Sequence, residues 1–112
     1  MQGNIALLTK SFTASASLAQ YQPIQATGAA ATAAGNAIGF ANVAAASGDL
    51  VPAVVLGTSL AVAGAAIASG ALVEVGSTVT QVVTKAAGVA IGRALSAATA
   101  AGDIIEVMII PN

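Results

Sequence analysis

The sequence predicts an all-β protein, a small pseudo-symmetric β-barrel or sandwich with an extended N-terminal segment and short helical turns. Three observations carry that expectation. Glycine recurs every several residues from Gly28 onward, and each glycine inside a helix costs about 1 kcal/mol, so the alanine-rich chain makes a poor long helix. Val73, Val75, Val79, Thr80, Val82, Val83 and Thr84 crowd β-branched residues into "LVEVGSTVTQVVTK", with Gly76 and Ser77 between the two clusters as a turn. The third observation is a phrase written twice: "AAGNAIGFANVAAASGDLVPAVVL", residues 33–56, returns as "AAGVAIGRALSAATAAGDIIEVMII", residues 86–110.

Taken in order, residues 1–9, "MQGNIALLT", form an apolar segment ahead of a single β-rich domain over residues 10–112. Ile5, Leu7 and Leu8 have no repeat partner to bury them. The segment is therefore either a first strand of the core or an arm that adds to a sheet edge on a neighbour, where main-chain hydrogen bonds give affinity and side-chain pockets give specificity. "LLTKSFTAS" and "LAQYQPIQA" alternate loosely, as half-exposed strands do, and "GAAATAAG" over residues 28–35 has no periodic face and is a loop. "IIEVMII" is a short, nearly continuous apolar run, as expected of a strand covered on both faces, and Pro111 ends it. Short helical turns are expected only over residues 96–101.

The repeat explains the middle of the chain. Ala33, Ala34, Gly35, Ala37, Ile38, Gly39, Ala41, Ala44 and Ala45 recur at a constant offset of 53, and after one inserted residue Gly48-Asp49 recurs as Gly102-Asp103. Each copy is a strand centred on Ile-Gly, a small-residue turn, a Gly-Asp corner and a second apolar strand. Gly48 and Gly102 can take φ > 0 without a Cβ clash, and Asp49 and Asp103 can accept the N–H groups that the corners leave free. Gly39 and Gly92, inside strands, permit a bulge or the close approach of another backbone. Arg93 replaces Phe40 in the second copy, so one copy turns to the core where the other turns to solvent or a partner.

Composition removes most chemistry. With 57% hydrophobic residues, much of it alanine, 6% charged residues and a net charge of −1, the chain offers no basic footprint for nucleic acid. Recognition has to work by shape and apolar contact. There is no cysteine and no histidine, so the usual nucleophile, general base and zinc ligands are missing, and Asp49, Asp103, Glu74 and Glu106 are the only carboxylates. The two aspartates stand in the same Gly-Asp context and are turn residues rather than a catalytic pair, and the two glutamates are expected to point to solvent or a neighbouring subunit. No enzyme, cofactor or metal site is expected. "GNAIGFA" lacks the phosphate-loop pattern, so no nucleotide is implied.

The rival reading is a small membrane protein, holin-like or rotor-ring-like, because residues 50–73 are free of charge for longer than the ~20 residues of a bilayer span. Pro52, Gly57, Gly64 and Gly70 punctuate that run, Asp49 and Glu74 flank it, and no aromatic anchor is near. The N-terminus has no basic region that would mark a signal peptide. No membrane is expected as a partner.

The segments "SFTASASLAQYQPIQATG", "AIGFANVAAASGDLVPAVVLG", "AVAGAAIASGALVEV" and "GVAIGRALSAATAAGDIIEVMI" resemble, in that order, the small capsid cement (decoration) proteins of tailed bacteriophages, a family formerly filed as a domain of unknown function. The likeness covers nearly the whole chain after about residue 10. It implies a β-rich fold, no activity, and attachment to the outer capsid surface of a virion after synthesis in the host cytoplasm. The implied partners are the major capsid protein and further copies of the chain in a homo-oligomer, a trimer at local threefold positions or a dimer at twofold ones. Pro52 departs from the pattern, and its strand is expected to be an edge or interrupted. Candidate capsid or subunit contacts are Ile5, Leu7, Leu8, Phe12, Tyr21 and Arg93, with Phe40 expected in the core.

Overall fold

The computed structural model describes residues 5–112. Eight strands follow one another: β1 (Ala6–Thr13), β2 (Pro23–Ile24), β3 (Gly39–Ala41), β4 (Leu50–Val62), β5 (Leu72–Val75), β6 (Val82–Thr84), β7 (Gly92–Ala94) and β8 (Ile104–Ile109). All the pairings between them are antiparallel, in the order β2-β3-β4-β8-β7-β5-β6 with β1 laid along β4, and the sheet curls into a half-barrel. The expected helical turns do not form. Residues 96–101 make bends, a bridge and a turn, because Ala98 exchanges both backbone hydrogen bonds with Ile67 at 2.9 Å, which leaves too few residues on either side to close a helical ring.

The repeat is carried by the backbone and reaches further than the matched letters. Phe40 pairs with Val54 and Ala41 with Ala53, as Arg93 pairs with Met108 and Ala94 with Val107. The next strand out repeats as well, Pro23 and Ile24 against β3 as Leu72 and Val73 against β7. Upstream, Leu18 bridges Ala45 as Ile67 bridges Ala98. Thr13, opposite Leu50, corresponds to Val62, opposite Ile104. The thirteen-residue β4 is thus shared: its first half closes repeat 1 and its second half opens repeat 2.

Packing follows the same correspondence. Ala14, Leu18, Ile24, Ala41, Val51 and Ala53 form a small core of their own, and their counterparts Ala63, Ile67, Val73, Ala94, Ile105 and Val107 are all buried in the larger one. Alanine at five of these twelve positions, Ala14, Ala41, Ala53, Ala63 and Ala94, lets the larger Leu, Ile and Val side chains pack between closely spaced strands. Phe40 and Val54, on the other face of the first hairpin, join the larger cluster with Val75, Ile91 and Ile109. Repeat 1 is therefore a sheet between two cores. Gly39 and Gly92 allow this closeness, since a Cβ on Gly39 would strike the Val54 carbonyl oxygen and one on Gly92 the Val107 side chain.

Pro52 is neither at an edge nor at a break. β4 runs through it, paired with β1 on one side and β3 on the other. Its counterpart Glu106 shows why proline is tolerated. Both carbonyls accept from the neighbouring loop, Asn42 N–H to Pro52 and Leu95 N–H to Glu106, each at 2.8 Å. The Glu106 N–H, however, donates to the Ser96 hydroxyl rather than to a strand. That position asks no ladder bond of its N–H, so a residue without one fits, and Ser96 is replaced by Val43 in repeat 1.

The hairpin of residues 72–84 turns over a wider loop than Gly76-Ser77. Gly76 N–H donates to Gln81 at 2.9 Å and Gln81 N–H to Thr78 at 3.0 Å, which takes Val79 and Thr80 out of the strand. Residues 28–35 form a loop with one bridge, Ile24 to Ala30. β8 is fully covered on one face, where Ile105, Val107 and Ile109 are buried, and only partly on the other, where Glu106 is buried between the exposed Ile104 and Met108.

Candidate interaction surface

The Gly-Asp corners are equivalent in geometry. Gly48 has φ 91° and Gly102 φ 92°, and both N–H groups donate at 2.8 Å, to Ala14 and Ala63 respectively. Asp49 accepts the N–H of Ala46 at 3.1 Å. Asp103 accepts more: the Thr99 N–H at 2.8 Å, the Thr99 hydroxyl at 2.9 Å and the Ala100 N–H at 3.2 Å. These donors favour the charged form, the Thr99 N–H most, and hold the Asp103 carboxyl below its ordinary value.

The glutamates depart from expectation. Glu106 is buried, and its carboxylate accepts the Thr58 hydroxyl proton at 2.7 Å. Glu74 is half-buried and accepts the N–H groups of Ala86 and Gly88 at 2.8 and 2.9 Å, fixing the loop that leads into β7. Both turn inward because the backbone and hydroxyl donors of this fold supply the hydrogen bonds a buried carboxylate needs. Neither meets another carboxylate, histidine or cysteine in a cluster that could hold a metal, among the described residues.

Of the six contact candidates, three lie together. Ile5, Leu7 and Leu8 are 65%, 70% and 52% exposed, at and just before the start of β1, and Leu8 stands opposite the exposed Leu56 on β4. The Ile5 N–H donates to the Thr58 hydroxyl and the Ile5 carbonyl accepts the Thr58 N–H. Thr58 pairs with Met108 and Met108 with Arg93, so Ile5 and Arg93 lie in one row across the sheet, about 15 Å apart at the usual strand spacing. Arg93 is exposed and donates to the Gly70 carbonyl at 2.7 Å.

Phe12 and Tyr21 are not part of that row. Phe12 is half-buried against the small core, with the Lys10 ammonium 5.9 Å from its ring centre. Tyr21 is half-buried at a turn with φ 67°, where repeat 2 has Gly70 at φ 89°. Its N–H donates to Ala41 as that of Gly70 does to Ala94, both at 2.7 Å. Sequence reasoning missed Leu50, Leu56, Ile104 and Met108, all exposed. The repeat alignment held the signal for two of them, since it sets Leu50 against Ile104 on the same outward register.

No helix among the described residues is long and apolar enough to cross a membrane. The uncharged run that suggested one, residues 50–73, is β4, a turn and the start of β5.

The model of a family described as phage cement protein matches residues 2–109. The chain belongs to that family. Membership gives it a capsid decoration role, in keeping with a surface of exposed aliphatic side chains and very few charges. The fold is also that of a solved structure described as the head fiber gp8.5 N base of bacteriophage phi29. Against it the TM-score is 0.71 with 19% identity, over 92% of this chain and 93% of that one. No curated protein sequence matches the chain.

Proposed function

We propose that the protein, after synthesis in the host cytoplasm, seats on the outer surface of a phage head. There it binds the major capsid protein as a homo-oligomer, a trimer at local threefold positions, and holds neighbouring capsomers together without catalysing a reaction. The observation that carries the contact surface is the cluster of exposed Ile5, Leu7, Leu8 and Leu56 on β1 and β4, on a chain whose family role is capsid decoration. Isolated exposed aliphatic residues are ordinary, and four at neighbouring positions of adjacent strands support reading this region as the contact surface. Each subunit of an oligomer would contribute one such cluster, and the first contact raises the effective concentration of the rest.

The test is decoration of bare capsids by Leu7→Asp and Leu8→Asp proteins and by a protein lacking residues 1–8, each first checked for an unchanged β-type far-UV spectrum. Occupancy should fall at least tenfold for each. Wild-type occupancy should change little between low and high salt, because ion pairs contribute little here. Full occupancy by the aspartate variants would remove this cluster from the mechanism.

A further inference from the structure

The two repeats leave opposite halves of one contact unfilled. Inside the chain, the outward face of the first hairpin, Phe40 and Val54, is sealed in the core that repeat 2 supplies through Val75, Ile91 and Ile109. The same face of the second hairpin is Arg93 and Met108, and nothing among the described residues seals it: Arg93 is exposed and Met108 is 40% exposed. The receiving side is bare on repeat 1. The counterpart of Ile91, which is 1% exposed, is Ile38 at 43%, and the counterpart of Val75 is the exposed Ala26. Their equivalence is fixed by the backbone, since Ile38 N–H donates to Ile24 as Ile91 N–H does to Val73.

Ile38 and Ala26 line a surface hollow of about 430 Å³ together with Gln25, Thr32, Asn36 and Asn112. The chemistry of the two bare halves has changed in step. Where repeat 1 presents a phenyl ring to an aliphatic wall, repeat 2 presents a guanidinium and a flexible thioether, and the hollow offers amide and hydroxyl oxygens around one isoleucine.

We infer that the Arg93–Met108 face of one copy docks into the Ile38 hollow of the next, so that copies of this chain join head to tail by repeating between molecules the contact that already joins the two repeats within one. This rests on the homo-oligomer reading above and deepens it by naming the surfaces. Such a contact uses two different patches, so it propagates from copy to copy and closes a ring when the rotation allows. Arg93 suits this better than lysine would, because its planar fork can serve Gly70 and an amide oxygen of the neighbour together.

The head-to-tail character gives a decisive mixing test. Sedimentation of wild-type protein should show an oligomer, and Met108→Asp and Ile38→Asp proteins should each run as monomers with unchanged spectra. Mixed in equal amounts, they should recover a dimer and nothing larger, because the first keeps an intact hollow and the second an intact face. A mixture that stays monomeric, a variant that keeps the wild-type mass, or a monomeric wild type would overturn the inference. Because the chain has no cysteine, Met108→Cys and Ile38→Cys proteins give a gentler version. Oxidation should crosslink the mixture but neither protein alone, and crosslinking of Met108→Cys by itself would instead mean a symmetric contact. Bare-capsid binding separates this from the decoration reading: a monomeric wild type that fully occupies capsids would overturn only the docking, and wild-type rings that never bind capsids only the decoration.

Discussion

Repeat 1 and repeat 2 share a backbone and differ in what they do with its second face. The shared part is set by positions too small to vary much: Gly39 and Gly92, Ala41 and Ala94, Gly48 and Gly102. The difference lies in two cross-strand pairs, Phe40 with Val54 and Arg93 with Met108. One is a core pair and the other a surface pair, in the same register. What decides whether this hairpin is inside or outside the molecule is therefore its outward side chains, while its turns and strand pairing are indifferent to the outcome.

The strongest way to break this comparison is to empty the same position twice. Phe40→Ala should cost about 3–5 kcal/mol in urea unfolding, as deletion of a buried ring does, while Arg93→Ala should stay within about 1 kcal/mol. Equal losses would mean the second face is not exposed as described. The hydroxyl that replaces a ladder bond comes next. Ser96→Ala leaves the buried Glu106 N–H without a partner and should cost about 1–3 kcal/mol, whereas Val43→Ser should change almost nothing, because Pro52 has no N–H to offer. Chemical denaturation of the two variants side by side reads the difference.

The corners should behave alike rather than differently. Gly48 and Gly102 have nothing within 4 Å of where a Cβ would sit, so valine at either is opposed by backbone strain alone, about 1–3 kcal/mol. The two melting temperatures should fall by similar amounts. The smallest effect belongs to Asp103. Its carboxyl is held below the ordinary value of 3.8 by the Thr99 and Ala100 donors, so the folded state binds its proton less readily than the unfolded chain. Its contribution to stability is fully present above about pH 4 and is lost as pH falls through the lower folded value. Asp103→Asn should flatten that acid limb slightly in pH-dependent melting. An unchanged limb would show that the extra donors do not matter.

The order of strand, Gly-Asp corner and second strand, the inserted residue before the second Gly-Asp and the glycines inside strands were legible, because glycine and aspartate leave identical letters in both copies. The upstream half of the repeat was not. Leu18 and Ile67, or Ile24 and Val73, share only apolar character, and Tyr21 occupies the left-handed turn that Gly70 fills more comfortably, so nothing in the letters marks them as equivalent. Glu106 was misread for a different reason: the Thr58 hydroxyl that satisfies it lies 48 residues away, beyond the reach of local pattern. Pro52 misled because a general rule about proline in strands has an exception visible only when Ser96 is seen serving the N–H at the equivalent site. Exposed Leu50, Ile104 and Met108 looked like core because hydrophobicity reports the wish to be covered, not which molecule does the covering.

The shared strand β4 bears on how the subunit comes apart. Neither repeat owns a complete set of strands: losing β4 from repeat 1 also removes the strand on which β8 is paired. Partial opening of one half therefore exposes the other, and the molecule has no stable half-folded form to fall back on. Unfolding should be a single cooperative event, and amide exchange across Val51, Val54, Ala61 and Ile105 should proceed at one common, slow rate. A subunit attached to a shell would then be either whole or released, with no slack intermediate that stretches while still attached.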